Sequence, residues 1–278
     1  MADPLPTFFV IGAPKCGTTS LHFYLDQHPE IAMTTDKEPN VFAREDYRDK
    51  LGRYAGLFAA PAAVRGESSV IYSEHPCWQG APARIRAQVP EARFVYVVGD
   101  PVERVIRHYA QLVADGKASG QLDDALADFE QDYNGLACGS RYATQVRQYL
   151  GHFDASRILI VDQRDLLVAR EPTLSRVFAF LGVDASFRSP AFDQVRNTQA
   201  DRRTPKPLGR LASSSPLAPL RRLKYPTAIR RRVRRHTSVP APRPQLDPAL
   251  RARFAASLRE EVAWLREFTG LRFETWSV

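Results

Sequence analysis

Residues 7–25, TFFVIGAPKCGTTSLHFYL, contain the stretch that decides the fold. The first five residues are apolar, β-branched or aromatic, which is typical of a strand buried in a parallel sheet. Gly12 and Pro14 interrupt that run, and apolar side chains then recur at helical spacing from residue 21 to residue 25. The stretch therefore predicts a strand over residues 7–11, a tight turn and a helix over residues 18–27.

The turn between this strand and this helix carries the residue types of an anion-binding loop. Gly12 and Gly17 have the spacing of the two glycines in the nucleotide-binding P-loop, Gly-x4-Gly-Lys-Ser/Thr, but the lysine stands three places earlier, at Lys15. Backbone N–H groups at a helix start favour an anion, and the hydroxyls of Thr18 and Thr19 add donors. The sequence predicts a phosphate-binding loop, with an ordinary strand-to-helix turn and a surface lysine as the alternative.

The rest of the chain continues this alternation of strands and helices. Apolar runs at residues 94–98 and 158–161 predict two further buried strands. Helices are predicted after Pro101, near residues 141–150, from Pro172 as first helical residue to residue 181, and over residues 247–270. Such alternation is typical of the α/β class, in which helices flank a central parallel sheet. We therefore predict a single α/β domain over residues 1–278.

Composition excludes several classes of protein. The 278 residues are 44% hydrophobic and 25% charged, which excludes a disordered or collagen-like chain. No apolar run approaches the ~20 residues that span a bilayer, and no signal-peptide pattern is visible, so a cytoplasmic protein is expected. Three cysteines are too few and too scattered to predict a disulfide framework or a zinc site, and no metal is expected.

The basic residues are concentrated in one window. The net charge is +8, yet residues 202–243 hold 13 Lys and Arg and no Asp or Glu, which leaves 26 basic and 31 acidic residues elsewhere. The prolines of residues 202–246 predict a long irregular excursion with one short helix at residues 228–235. This excursion is a lid over an anionic ligand, a patch for an anionic lipid or polymer at a membrane periphery, or a solvated insertion. Specific nucleic-acid binding is not expected, since no recognition motif accompanies the charge.

Several segments, in order along the chain, resemble the sulfotransferases that use 3′-phosphoadenosine 5′-phosphosulfate. PKCGTTSL, residues 14–21, is similar to their 5′-phosphosulfate-binding loop. KEPNVF, residues 37–42, and GESSVIY, residues 66–72, resemble segments of the heparan sulfate sulfotransferases and their bacterial relatives. Further matches fall at residues 100–109, 140–143, 180–182 and 247–276. The resemblance implies the P-loop-like sulfotransferase fold over nearly the whole chain.

The resemblance also implies a reaction, transfer of a sulfuryl group from that donor to a hydroxyl or amine of a small molecule, glycan or lipid. Lys15 would stabilise charge on the leaving phosphate oxygen, and Glu38 would accept the proton of the acceptor. Lys37 would help to neutralise the sulfuryl group. His75 is an alternative base, whereas His108 is interpreted as structural.

A set of donor-binding residues follows from the same resemblance. Its members are Lys15, Cys16, Gly17, Thr18, Thr19, Arg107, Tyr142 and, from the basic window, Arg202. One departure concerns the donor's 3′-phosphate, which the resembled enzymes usually hold with an Arg before the Asp-Pro pair and a Ser eight residues later. These positions are Gly99 and Arg107 here.

Two interpretations of this departure stay open. In the preferred one, Arg107 reaches the same phosphate from the other side, and the donor is unchanged. In the other, the chain has a sulfotransferase fold with an altered donor, with chemistry other than sulfuryl transfer, or with a binding role alone.

Overall fold

A five-stranded parallel sheet forms the centre of the computed structural model, which describes residues 5–58, 62–194, 203–205, 238–240 and 243–278. Its spatial order is β2-β3-β1-β4-β5. The strands are β1 (Phe8–Gly12), β2 (Ile31–Met33), β3 (Val64–Ser68), β4 (Arg93–Val98) and β5 (Ile158–Asp162). The α-helices of the described ranges are α1 (Thr18–Leu25), α2 (Tyr47–Ala55), α3 (Ala81–Gln88), α4 (Pro101–Ala114), α5 (Leu122–Leu126), α6 (Gly135–Cys138), α7 (Tyr142–Leu150), α8 (Gln163–Val168), α9 (Arg170–Leu181), α10 (Pro248–Ser257) and α11 (Arg259–Thr269).

The centre of the sheet is formed by the two most apolar strands, β1 and β4. Every residue of β1 is buried, and so is every residue of β4 after Arg93. Phe9 pairs with Phe94 in the parallel register, and their rings stack with centroids 5.8 Å apart. Strands covered by helices on both faces need apolar side chains on both faces, which explains why these runs lack polar alternation.

The predicted parallel α/β sheet is confirmed, but the sequence does not predict β2 and β3. β2 is apolar but has only three residues, and β3 reads Val-Arg-Gly-Glu-Ser, so neither strand shows an apolar run of strand length. β3 nevertheless lies between β1 and β2, and Gly66 pairs with Phe8 of β1. Close packing against β1, rather than apolar character, places β3 in the sheet.

Two helix boundaries differ from the prediction. α9 begins at Arg170, so Pro172 is its third residue rather than its first. Proline is accommodated there because the N–H groups of a first helical turn have no partner within the helix. The helix predicted over residues 247–270 is divided at Leu258 into α10 and α11. The side chain of Asp247 caps α10 by accepting two backbone N–H groups of the first turn, at 2.9 and 3.0 Å.

A fully buried arginine joins α4 to the segment between α6 and α7. Arg104 donates through Nε to Oγ of Ser140 at 2.7 Å and through Nη2 to the carbonyl of Leu136. The hydroxyl of Ser140 in turn donates to the carbonyl of Pro101 at 2.8 Å. A buried guanidinium is costly unless acceptors surround it, so these bonds fix α4 against its neighbours.

The described residues include a small part of the basic window. That part consists of β6 (Arg203–Pro205) and β7 (Ser238–Pro240), which pair antiparallel, and of Arg243, which forms an ion pair with Glu103 of α4. Arg202 and the helix predicted at residues 228–235 lie outside the described residues, so the excursion stays a prediction. As for membranes, no helix within the described ranges combines the length and the apolar character that crossing a bilayer requires.

We expect Gly66→Ala to destabilise the fold. A Cβ at position 66 would lie 2.1 Å from Cζ of Phe8, whose ring is buried in the core. Overpacking of this kind costs about 1–3 kcal/mol of the free energy of unfolding. Urea denaturation measures the cost, with Gly52→Ala in α2 as the control because no atom lies within 4 Å of a Cβ there. Equal unfolding free energies for the two variants would contradict this packing of β3 on β1.

Candidate functional site

The loop of residues 12–19, here called the anion loop, begins at a position that has no room for a side chain. A Cβ on Gly12 would lie 2.1 Å from Oγ of Ser73, and the φ of Gly12 is +147°. The next residue, Ala13, stays attached to the sheet because its N–H donates to the carbonyl of Val97 at 2.5 Å. Gly17, with φ +97°, is the N-cap of α1 and supplies no side-chain cap. The first N–H groups of α1 are therefore arranged as in other helix starts that bind anions.

The anion loop lines a cavity of about 520 Å³. Helices α4 and α8 line the same cavity, which places cationic and carboxylate side chains around one volume. The predicted site residues that the structure brings together there are Lys15, Gly17, Thr18, Thr19, Lys37, Glu38 and Arg107. Lys15 has the left-handed conformation, with φ +68°, which non-glycine residues adopt rarely and mostly at functional sites.

Two of the described residues predicted to bind the donor are not among those that line the cavity. Cys16 and Tyr142 are fully buried, with Sγ of Cys16 3.8 Å from Oη of Tyr142. Tyr142 donates to the carbonyl of Gly99 at 2.8 Å, and the N–H of Cys16 donates to Ala13 within the loop at 3.1 Å. Both side chains therefore pack against the anion loop and its surroundings, and their contact with the nucleotide stays a prediction. Arg202 lies outside the described residues.

The Lys37-Glu38 pair reaches the cavity from a strained segment held by β3. Glu38 has φ +65°, and its N–H donates to the carbonyl of Ser68 at 2.9 Å. Asn40 also has the left-handed conformation, with φ +55°, and its N–H donates to Oγ of Ser69 at 3.1 Å. Nζ of Lys37 lies 2.5 Å from Oε1 of Glu38. The strand that the sequence does not predict, β3, thus positions the predicted catalytic carboxylate.

Two further glutamates near this segment have raised pKa values. Glu67 of β3 is fully buried, and burial raises its pKa to about 7, although the hydroxyl of Tyr54 donates to its Oε2 at 2.6 Å. Glu74 lines the cavity, and its pKa is raised to about 7 by burial, with the charge of Arg104 opposing the rise and that of Glu38 adding to it. Glu74 is not predicted from the sequence, because no motif contains it.

Arg107 lines the cavity from α4, and hydrogen bonds to Glu103 and Gln163 help to hold it there. Its Nε donates to the carbonyl of Glu103 at 3.1 Å, and its Nη1 donates to Oε1 of Gln163 at 2.7 Å. Nε2 of Gln163 donates to the carbonyl of Lys15 at 3.4 Å. Gln163 is also not predicted from the sequence. Its position is nevertheless a signal, because Gln163 directly follows β5 and ligand-binding residues collect at the carboxyl ends of parallel strands.

The histidines have different surroundings. His108 lines the cavity, and its Nδ1 lies 3.3 Å from Nη1 of Arg104. His75 is not among the lining residues, and Gln145 is hydrogen-bonded to both its N–H and its carbonyl. His22 is close to Lys37, and burial together with that ammonium lowers its pKa to about 4. Within the described part of the chain, no group of three or more His, Cys, Asp or Glu could hold a metal ion.

Sequence comparisons identify a family. The family model described as Sulfotransferase domain matches residues 5–263. The bifunctional heparan sulfate N-deacetylase/N-sulfotransferase 2 of Homo sapiens is 26% identical over 203 residues, covering 65% of this chain and 22% of that protein. Carbohydrate sulfotransferase 15 of Homo sapiens is 27% identical over 246 residues, covering 64% of this chain and 44% of that protein. The chain thus spans less than half the length of these two relatives.

Solved structures show the same fold. The sulfotransferase from Alicyclobacillus acidocaldarius has a TM-score of 0.70 at 22% identity, covering 99% of this chain and 100% of that chain. The sulfotransferase domain from the curacin biosynthetic pathway has a TM-score of 0.50 at 15% identity, covering 91% of this chain and 98% of that chain. The predicted P-loop-like sulfotransferase fold is therefore confirmed.

We expect the free energy of unfolding to fall as the pH rises from about 5 to about 8. The folded-state pKa of Glu67 lies above its ordinary value, so the folded state binds this proton more tightly than the unfolded state does. The stability that results is lost as the carboxyl ionises with rising pH. One such group contributes a slope of up to ~1.4 kcal/mol per pH unit. Chemical denaturation across this range should show a smaller slope for Glu67→Gln. Glu74 adds to the fall, whereas His22, whose pKa is lowered to about 4, opposes it below pH ~6.5.

Glu45→Gln, at an exposed position, is the matched control for this measurement, and it should leave the slope unchanged. A Glu67→Gln variant that is less stable than the native protein at pH 8 would show that the fold requires the ionised carboxylate.

Proposed function

Because the chain belongs to the sulfotransferase domain family, we propose that it transfers a sulfuryl group from 3′-phosphoadenosine 5′-phosphosulfate to a hydroxyl or amine. The observation that carries this proposal is that one cavity is lined by both the anion loop and the Lys37-Glu38 pair.

A carbohydrate acceptor is favoured by the names of the relatives, a heparan sulfate N-sulfotransferase and a carbohydrate sulfotransferase. A small-molecule or lipid acceptor is the other class. A cytoplasmic location and an anionic partner for residues 202–246 stay predictions.

The residues of the anion loop fit a phosphosulfate. Gly12 permits the close turn, Gly17 starts a helix of eight residues, and Thr18 and Thr19 place hydroxyls in its first turn. Helix N-termini bind phosphate because their N–H groups and the helix dipole act on the same anion. Lys15 and Arg107 line the same cavity and supply two positive charges for a donor that carries several negative ones.

The chain's own residues would perform three tasks in the transfer. When bound, the donor supplies the sulfuryl group, whose sulfur forms a bond to the acceptor atom as its bond to the bridging phosphate oxygen breaks. Lys15 would stabilise the negative charge that the bridging oxygen acquires on leaving. Glu38 would take the proton that the acceptor loses, so charge and protons balance. Lys37 holds the Glu38 carboxylate at 2.5 Å and would move towards the sulfuryl oxygens.

A second candidate, an altered donor, is motivated by Gly99. The arginine that the resembled enzymes place before the Asp-Pro pair is absent, and the space beside Gly99 is occupied by Gln163, whose Oε1 lies 2.8 Å from a Cβ built at position 99. The two candidates differ in one property of the native protein. An unchanged donor requires tighter binding of adenosine 3′,5′-bisphosphate than of adenosine 5′-phosphate.

We expect Lys15→Ala to reduce sulfuryl transfer by roughly 10²- to 10³-fold, the usual loss when one group that stabilises transition-state charge is removed. Transfer is followed with a panel of acceptors: N-deacetylated heparan polysaccharide, a simple phenol and a long-chain alcohol. Lys50→Ala is the matched control, since it removes the same charge from α2, where Lys50 pairs with Asp46 outside the cavity lining. Equal turnover of the Lys15→Ala variant and the native protein would overturn the assignment of the anion loop.

We expect Glu38→Gln to keep nucleotide binding but to lower the transfer rate by roughly 10²- to 10⁴-fold, because the change is isosteric and removes only the proton acceptor. Calorimetry with adenosine 3′,5′-bisphosphate checks binding, and single-turnover transfer checks the rate. Glu74→Gln is the comparison variant, since Glu74 is the other glutamate that lines the cavity. A large loss in Glu74→Gln with none in Glu38→Gln would assign the base to Glu74.

A further inference from the structure

We propose that Gln163 is a positioning residue that aims Arg107 at the donor's 3′-phosphate and thereby sets the preference for a 3′-phosphorylated nucleotide. The inference rests on the proposed function, because it assigns a phosphate group of that donor to Arg107. Nothing in the resemblance concerns Gln163, and the inference comes from its contacts in this chain.

Gln163 connects two of the cationic residues that line the cavity, Lys15 and Arg107. Its Oε1 accepts from Nη1 of Arg107 at 2.7 Å, and its Nε2 donates to the backbone carbonyl of Lys15 at 3.4 Å. One side-chain amide therefore fixes the distance between a guanidinium on α4 and the crest of the anion loop. Gln163 also packs under the loop, with Nε2 3.9 Å from a Cβ built on Gly17.

The backbone of Gln163 is well placed for this role. It is the first residue of α8 and follows Asp162, the last residue of β5. The carboxylate of Asp162 caps α8 by accepting the N–H of Arg164 at 2.9 Å. Gln163 is therefore anchored directly to the sheet, and its side chain has a fixed origin from which to reach Arg107.

The side chain of Gln163 occupies space that exists because residue 99 is glycine. A Cβ at position 99 would lie 2.8 Å from Oε1 and 3.4 Å from Cβ of Gln163. The backbone at Gly99 is itself held, since its carbonyl accepts from Tyr142 at 2.8 Å. Any larger residue at position 99 would displace the amide from Arg107, so Gly99, Gln163 and Arg107 depend on one another.

An amide is suited to this position because it orients the guanidinium without neutralising it. The amide oxygen accepts one N–H of the five that a guanidinium offers and, being neutral, does not itself cancel the positive charge of the group. A carboxylate in the same place would pair with Arg107 and cancel the charge that a phosphate requires. The arrangement therefore predicts that glutamine is better than either alanine or glutamate at position 163.

The test compares two nucleotides by calorimetry in the full-length native protein and its variants. Native protein should bind adenosine 3′,5′-bisphosphate more tightly than adenosine 5′-phosphate. Gln163→Ala and Gln163→Glu should each weaken bisphosphate binding about tenfold, the effect of losing one hydrogen bond that orients a charged group. Binding of the monophosphate should weaken less in both variants, because Gln163 affects the shared 5′-phosphate only through its 3.4 Å bond to the carbonyl of Lys15.

A double-mutant cycle separates positioning from a merely structural role. If Gln163 acts through Arg107, the variant with both Gln163→Ala and Arg107→Ala should bind the bisphosphate no more weakly than Arg107→Ala alone. Gly99→Ala should reproduce the loss seen in Gln163→Ala, because the new methyl group displaces the amide. Gly135→Ala is its matched control, with no atom within 4 Å of the added carbon. Gln163→Met, similar in length but without the hydrogen bonds, replaces Gln163→Ala should that variant fail to fold.

The outcomes distinguish this inference from the proposed function. A native protein that does not prefer the bisphosphate contradicts the proposed donor and the inference with it. A native preference that persists in the Gln163 variants leaves the donor intact but overturns the role of Gln163. Additive losses in the cycle also overturn it, since they show that Gln163 and Arg107 act separately.

Discussion

The site depends on the close packing of Gly12 against the segment that follows β3. With no side chain at position 12, the end of β1 reaches Ser73 and the ring of Tyr96, and the chain turns into the anion loop at once. The same edge of the sheet receives the Lys37-Glu38 pair, through Ser68, and Gly99, which follows β4. Parallel strands bring their carboxyl ends to one edge, so three separate segments of the chain meet there.

The charged side chains that line the cavity contact different kinds of group, either carboxylates or neutral oxygens. Lys37 is paired with the carboxylate of Glu38, whereas Arg107 is held by neutral oxygens of Gln163 and the Glu103 carbonyl. A neutral acceptor does not itself cancel the arginine's charge, whereas a carboxylate partner must be separated before either ion acts elsewhere. This difference supports an anion-binding role for the α4 side of the cavity and a proton-transfer role for the Lys37-Glu38 side.

The sequence predicts those elements whose residues are contiguous in the chain and form a recognisable local pattern. β1, β4 and β5 are continuous apolar runs, and the glycines, lysine and hydroxyls of the anion loop are contiguous, so both are visible without a structure. β3 is not visible, because its Gly66 and buried Glu67 are selected by packing against Phe8 and Tyr54 from other parts of the chain. Gln163 is missed for the same reason, since 56 residues separate it from Arg107. The burial of the Cys16 and Tyr142 side chains is likewise a result of packing, which no spacing rule reveals.

The central claim is that this cavity moves a sulfuryl group from the nucleotide donor to an acceptor. The most direct measurement follows radioactive sulfur from labelled 3′-phosphoadenosine 5′-phosphosulfate into N-deacetylated heparan polysaccharide, a phenol or a long-chain alcohol, while released adenosine 3′,5′-bisphosphate is quantified in the same reaction. The account predicts labelled acceptor and one bisphosphate released for each sulfur transferred. A native protein that binds the donor but leaves all of the label on the nucleotide or as free sulfate with every acceptor would contradict it.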